Sequence, residues 1–115
     1  MAASLRVVNL EDGMPSLEQA RGTMLTELQR ARTAGVTGVK LIHGYGSSGV
    51  GGRLRIGIGA ALMQMKTEKR INRVIFGENW RVSDADTWAV LQKYPAFKAD
   101  HDLGRGNKGI TIVFF

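Results

Sequence analysis

The chain has no cysteine, only two prolines, and aromatic side chains at just 7% of its 115 positions. Without cysteine, disulfides and thiolate metal sites are excluded, and the composition suits a reducing compartment. Long apolar runs are missing too. The longest weakly polar stretch, Ile56–Met65, is too short and too rich in glycine to cross a bilayer, so no membrane partner is expected. Met1–Val8 lacks a basic start followed by a long apolar run, so no secretory leader is expected and a cytoplasmic location is. Acid is the scarcer charge. Sixteen Lys and Arg against ten Asp and Glu leave +6 at neutral pH, a balance that favours polyanionic partners.

What remains is the composition of an ordinary globule, 43% hydrophobic and 23% charged, long enough for one core and read as one domain over residues 1–115. Glycine is plentiful, and five of the fifteen fall between positions 44 and 52. There a short apolar strand, Val39–His43, runs into Gly44-Tyr45-Gly46-Ser47-Ser48-Gly49-Val50-Gly51-Gly52, and a helix is predicted from Arg53. Glycines let backbone N–H groups turn outward, and a helix start adds unpaired N–H groups and a positive dipole end. Arg53 and Arg55 stand in the predicted first turn with no acid beside them, an arrangement that makes sense for an incoming anion. The candidate phosphate-binding residues are therefore Gly44, Tyr45, Gly46, Ser47, Ser48, Gly51, Gly52, Arg53 and Arg55. Ser47 and Ser48 are equally suited to capping or turn duty, and Tyr45 to stacking on an unpaired base or to bracing the loop. His43, at the lip of the loop, is the candidate general acid or base; the alternative is a hydrogen-bonded histidine that fixes the loop.

The flanking sequence predicts a strand at Leu5–Leu10, then a helix opened by a capping box at Ser16 and Gln19 and ended by Gly35. Leu17, Ala20, Met24, Leu28 and Ala31 form its apolar stripe, and Leu54, Ile58, Ala61, Leu62 and Met65 that of the second helix. Gly57 and Gly59 weaken that second helix, so close packing against a neighbour is expected at both. A third strand is predicted at Ile71–Phe76, and a short helix over Asp84–Lys93 capped by Ser83. Phe97–Leu103 and Ile110–Phe115 read as a hairpin around the glycine-rich 104–109 tip. Strand–helix–strand–helix order argues for an α/β fold with parallel strands.

Three further patterns carry less. Gly44–Gly49 also fits the dinucleotide fingerprint G-x-G-x-x-G, with Glu78 as ribose partner, but that acid lies too far on and the chain has no room for a substrate domain. Asp100-His101-Asp102, read as strand, points its acids one way and its histidine the other, which makes it structural rather than a metal site. Lys66, Lys69, Arg70 and Arg73 form a basic run, either a solvated face or an extension of a phosphate track. No cofactor is indicated; a divalent metal stays an open alternative that no residue set singles out.

The motif Ile42-His43-Gly44-Tyr45-Gly46-Ser47, followed by Leu54-Arg55, resembles the His-Gly-x-Gly-Ser/Thr signature of the Smr (small MutS-related) domain family. Gly106-Asn107-Lys108-Gly109-Ile110-Thr111-Ile112-Val113 resembles that family's closing strand, and Glu18 and Ala20 its first-helix pair. The resemblance implies a two-layer α/β sandwich similar to the C-terminal domain of translation initiation factor three. Its mixed sheet has a β-α-β-α core, an insertion near residues 70–86 and, on the reading above, a C-terminal β-hairpin. It also implies DNA or RNA as partner and phosphodiester cleavage as a possible activity, with His43 carried over. The family's Leu-Asp-x-His strand is replaced by Val8-Asn9-Leu10-Glu11. Asn9 and Glu11 fall on one strand face, and Glu11 is the candidate to supply the missing carboxylate. The bland alternative is a polar strand end before a turn.

Overall fold

The computed structural model describes residues 3–45 and 50–115, and of Val50 and Gly51 the backbone alone. Four strands, β1 (Leu5–Asn9), β2 (Gly38–Ile42), β3 (Arg73–Phe76) and β4 (Ile110–Phe114), form one mixed sheet in the order β1-β2-β4-β3. β1 and β2 are parallel, joined through helix α1 (Leu17–Thr33). β4 enters antiparallel between β2 and β3, so the carboxyl ends of β1, β2 and β3 share one edge with the start of β4.

The period-2 pattern of the strands divides the core in two. Val8, Val39, Leu41, Val74 and Val113 face α1 and helix α2 (Val50–Thr67), where Met24, Leu28, Leu54, Ile58 and Leu62 close over them. Ile75, Ile110, Ile112 and Phe114 face the other way and meet Trp80, Val90, Leu91 and Phe97, from helix α3 (Ala85–Lys93) and the turns around it. The sheet is therefore covered on both sides, fully by α1 and α2 and over its β3–β4 half by α3, which adds a partial third layer to the expected two.

Local signals explain most of the boundaries. The Ser16–Gln19 capping box forms reciprocally, with Gln19 N–H donating to Ser16 Oγ at 3.1 Å and Ser16 N–H to Gln19 Oε1 at 3.0 Å. Gly57 and Gly59 are the close contacts expected of them: a Cβ on Gly57 would strike the Leu17 side chain, and one on Gly59 would press on the Phe76 ring. Three expectations are corrected. α2 begins at Val50 rather than Arg53, because the glycines at 51 and 52 are taken into the helix instead of the loop. Asp84, not Ser83, caps α3, accepting from Thr87 N–H at 3.0 Å. There is no C-terminal hairpin: Pro95–Ala99 is a 3-10 helix, turns follow, and β4 takes both its neighbours from elsewhere in the chain. Pro95 starts that short helix with its preset φ, and the residues behind it are held by side-chain contacts instead of a ladder.

Candidate functional site

The shared edge at the strand ends gathers Asn9 at the end of β1 and Glu11 after it, His43, Gly44 and Tyr45 after β2, Glu78 after β3, and Gly109 before β4. His43 and Gly44 are held to β4 by backbone bonds, both N–H groups donating to the Gly109 carbonyl at 2.9 and 3.0 Å. Gly44 has φ +72, a conformation side-chain-bearing residues adopt only with strain, and a Cβ there would collide with the Glu11 carboxylate. Glycine at this position thus lets the exposed Glu11 lie against the backbone beside His43.

His43 is 1% exposed. Its Nδ1 lies 2.7 Å from the Gly44 carbonyl, an acceptor, so Nδ1 carries the proton and donates. Nε2 is then free to accept from the Thr111 hydroxyl at 2.9 Å. Burial pushes the imidazole pKa below its ordinary value. The Gly44 carbonyl opposes that, the Arg55 charge reinforces it, and the Glu11 and Glu78 carboxylates recover only part. His43 is therefore neutral near pH 7 with both nitrogens engaged inside the protein. Its partner Thr111 carries no signal in the sequence that pairs it with His43. The alternation of β4 put Thr111 on the α1–α2 face, but only the β2–β4 register shows that it meets His43.

The two arginines part company. Arg53 is exposed on the first turns of α2. Arg55, two residues on, is ion-paired with Glu78, which lies in the 3-10 turn after β3. The acid weighed as a ribose partner thus serves to hold Arg55. Because α2 starts three residues earlier than predicted, Arg55 lies in its second turn, away from the helix opening. The first turn holds no acid, as expected. Gly52 lies within α2, where an added Cβ would make only an ordinary contact, 3.9 Å, with the Tyr45 carbonyl oxygen, and Tyr45 is 58% exposed. Gly46, Ser47 and Ser48, with Gly49, lie outside the described residues, and Gly51 is described only as helical backbone.

On the opposite sheet face a second group converges beneath this edge. Lys40, 3% exposed, donates to Asp100 Oδ1 at 2.7 Å and Asp102 Oδ2 at 2.7 Å. Trp80 Nε1 donates to Asp100 at 3.0 Å, and Asn107 Nδ2 to Asp102 at 3.2 Å. Burial opposes ionisation of Asp102, yet the bonds from Lys40 and Asn107 outweigh it and set its pKa below the usual carboxylate range. The acids of Asp100-His101-Asp102 do not simply share one strand face as expected: the segment is turn, and both converge on Lys40. Between this cluster, Tyr45 and Glu11 lies a cleft of about 570 Å³, floored by Val7, Ile42 and Ile110. Among the described residues no three His, Asp or Glu side chains gather as a metal site would need, and no helix is long and apolar enough to cross a membrane.

A mixed four-stranded sheet with its polar edge at the mouth of a glycine-rich β2–α2 connection defines an α/β domain of the Smr fold. Among solved structures, the Smr domain of Thermus thermophilus MutS2 matches with a TM-score of 0.58, over 95% of each chain and at 22% sequence identity. By sequence, no family model and no curated protein matches the chain. The shared shape agrees with the motif resemblance at residues 42–47 and 106–113.

Proposed function

We propose that this domain binds nucleic acid without cleaving it, seating a backbone phosphate where α2 opens. The observation that carries the reading is that opening: an 18-residue helix with no acid in its first turn, starting beyond Gly44 and Tyr45 at the carboxyl edge of the sheet. Helix N–H groups and the dipole attract phosphate there, exposed Arg53 adds charge, and exposed Tyr45 offers a ring for an unpaired base. The net charge of +6 and the Smr fold favour the same ligand class. The non-catalytic reading is supported by His43, whose nitrogens are both committed to Gly44 and Thr111 and whose ring is shielded from a bound strand. In this reading the histidine shapes the loop and transfers no proton.

One observation favours a second reading. The Glu11 carboxylate rests against Gly44 at the mouth of the same edge, where it is placed to activate water on a nearby phosphodiester. Incubating the protein with supercoiled DNA and with structured RNA separates the two. The proposal expects binding with steep salt dependence, no nicking, and weaker binding by Arg53→Ala. Nicking that vanishes in Glu11→Gln while affinity persists would replace the proposal with the second reading.

A further inference from the structure

The basic run at the end of α2 lies at the far edge of the sheet from the site above, and the fold reshapes it. Arg73 leaves the group, pairing with Asp86 on the α3 side at 2.5 Å. Arg32, from the last turn of α1, joins it, donating to the Arg70 carbonyl and lying over the Phe115 ring at 5.1 Å. Arg32, Lys66, Lys69 and Arg70 now border one cleft of about 680 Å³ with Asn72, floored by Ile71 and Phe115, and no acidic side chain lines it. Glu68 is not among the lining residues, although its carboxylate comes within 3.8 Å of Arg70.

Cations at helix C-termini are favoured by the dipole, which accounts for Arg32 and Lys66 without any ligand. It does not account for Lys69. The end of α2 is a Schellman motif, with Arg70 N–H donating to the Met65 carbonyl at 2.9 Å and Lys69 N–H to the Lys66 carbonyl at 3.0 Å. Lys69 occupies the left-handed position of that motif at φ +62, where glycine is strongly preferred. α1 ends at its own left-handed position with Gly35, at φ +75. The chain thus keeps a lysine where local backbone preference calls for glycine, and that lysine borders the acid-free cleft.

From this we infer that the cleft of Arg32, Lys66, Lys69 and Arg70 is a second phosphate-binding surface, engaging the backbone of the same nucleic acid that meets the start of α2. It rests on nucleic acid being the ligand proposed above. Lys66 lies thirteen residues along α2 from Arg53, about 20 Å at 1.5 Å per residue. That separation spans roughly six base-pair steps of a duplex, at about 3.4 Å each. The exposed residues of α2 between them, Ile56, Ala60, Met63 and Gln64, carry no acid that would repel a strand laid along the helix.

The test measures affinity against salt for about 20-nucleotide single-stranded and duplex probes, with wild type, Lys69→Gly, Lys66→Ala/Lys69→Gly and Arg53→Ala, alongside thermal unfolding of each. Lys69→Gly relieves the left-handed backbone, so its Tm is expected to rise by about 2–4 °C while its affinity falls roughly five- to ten-fold and its salt slope by about one. The double variant is expected to lower the slope by about two. Greater stability with weaker binding is an outcome that a purely structural lysine does not produce. Wild-type affinity and slope in both lysine variants, with Arg53→Ala alone weakened, would overturn the inference and leave the proposed function standing. Failure of the wild type to bind either probe would remove both.

Discussion

His43 is the side chain on which sequence and structure pull hardest against each other. Its position beside a glycine loop invites a catalytic reading, while its surroundings make it a strut between β2, the Gly44 turn and Thr111 of β4. Replacing it with alanine strips Thr111 of its partner and leaves a void in a closed part of the core. His43→Ala should therefore destabilise the fold by about 2–4 kcal/mol in urea unfolding. Its titration supplies a second check. The unfolded imidazole takes up a proton near pH 6.5, while the folded one, held lower by burial, does so only at more acid pH. Between the two values the unfolded state binds the extra proton. Stability is thus complete above about pH 6.5 and declines as pH falls toward the folded value. The urea midpoint of wild type should drop between pH 7.5 and 5.5, by more than that of a His43→Asn protein; equal drops would show that His43 is not the group responsible.

Helices and strands were legible to different degrees. α1 was readable almost to the residue, because its start is written in local chemistry: the Ser16–Gln19 box and an apolar stripe at Ala20, Met24, Leu28 and Ala31. Ser16→Ala should cost about 1 kcal/mol, seen as a lower denaturant midpoint with an unchanged slope. α2 was legible in its buried face but not in its start, since Gly51 and Gly52 suit a loop as well as a helix. The segment 97–103 misled because its alternation of apolar and polar residues imitates a strand. In the fold, Phe97 packs with Tyr94 and Phe114 while Asp100 and Asp102 turn inward to Lys40, contacts that no spacing rule anticipates.

For the molecule as a whole, the Lys40 cluster fastens the turn-rich 95–109 segment to the sheet. Removing the cation leaves two carboxylates, 15% and 11% exposed, without the ammonium they share, and the neutral donors Trp80 and Asn107 do not replace its charge. Lys40→Met should destabilise by about 3–5 kcal/mol, and adding Asp100→Asn and Asp102→Asn should restore much of the loss. If Lys40→Met were as stable as wild type, the cluster would not be the fastening described. The depressed Asp102 pKa gives this contribution a direction in pH. It is complete above the unfolded carboxylate value, near pH 4, and is lost as pH falls through the lower folded value. The charge of the molecule is also divided by the fold. One edge of the sheet carries Glu11, Glu78 and Arg55 close together, and the far edge collects Arg32, Lys66, Lys69 and Arg70.

Local pattern was enough to determine the α/β class, the parallel β1–α1–β2 unit, the buried faces of both long helices and the glycine-rich β2–α2 connection. The helix faces and the connection depend on neighbours within a turn or two, the range over which hydrophobic period and capping act, and the parallel unit follows from the order of the elements. Tertiary structure alone decided that β4 enters between β2 and β3, that Thr111 meets His43, that Glu78 takes Arg55, and that Lys40 draws in Asp100 and Asp102. The side-chain pairings among these join residues 23 to 68 positions apart. Over such distances a partner is chosen by the shape and charge of the packed core, which no stretch of sequence displays by itself.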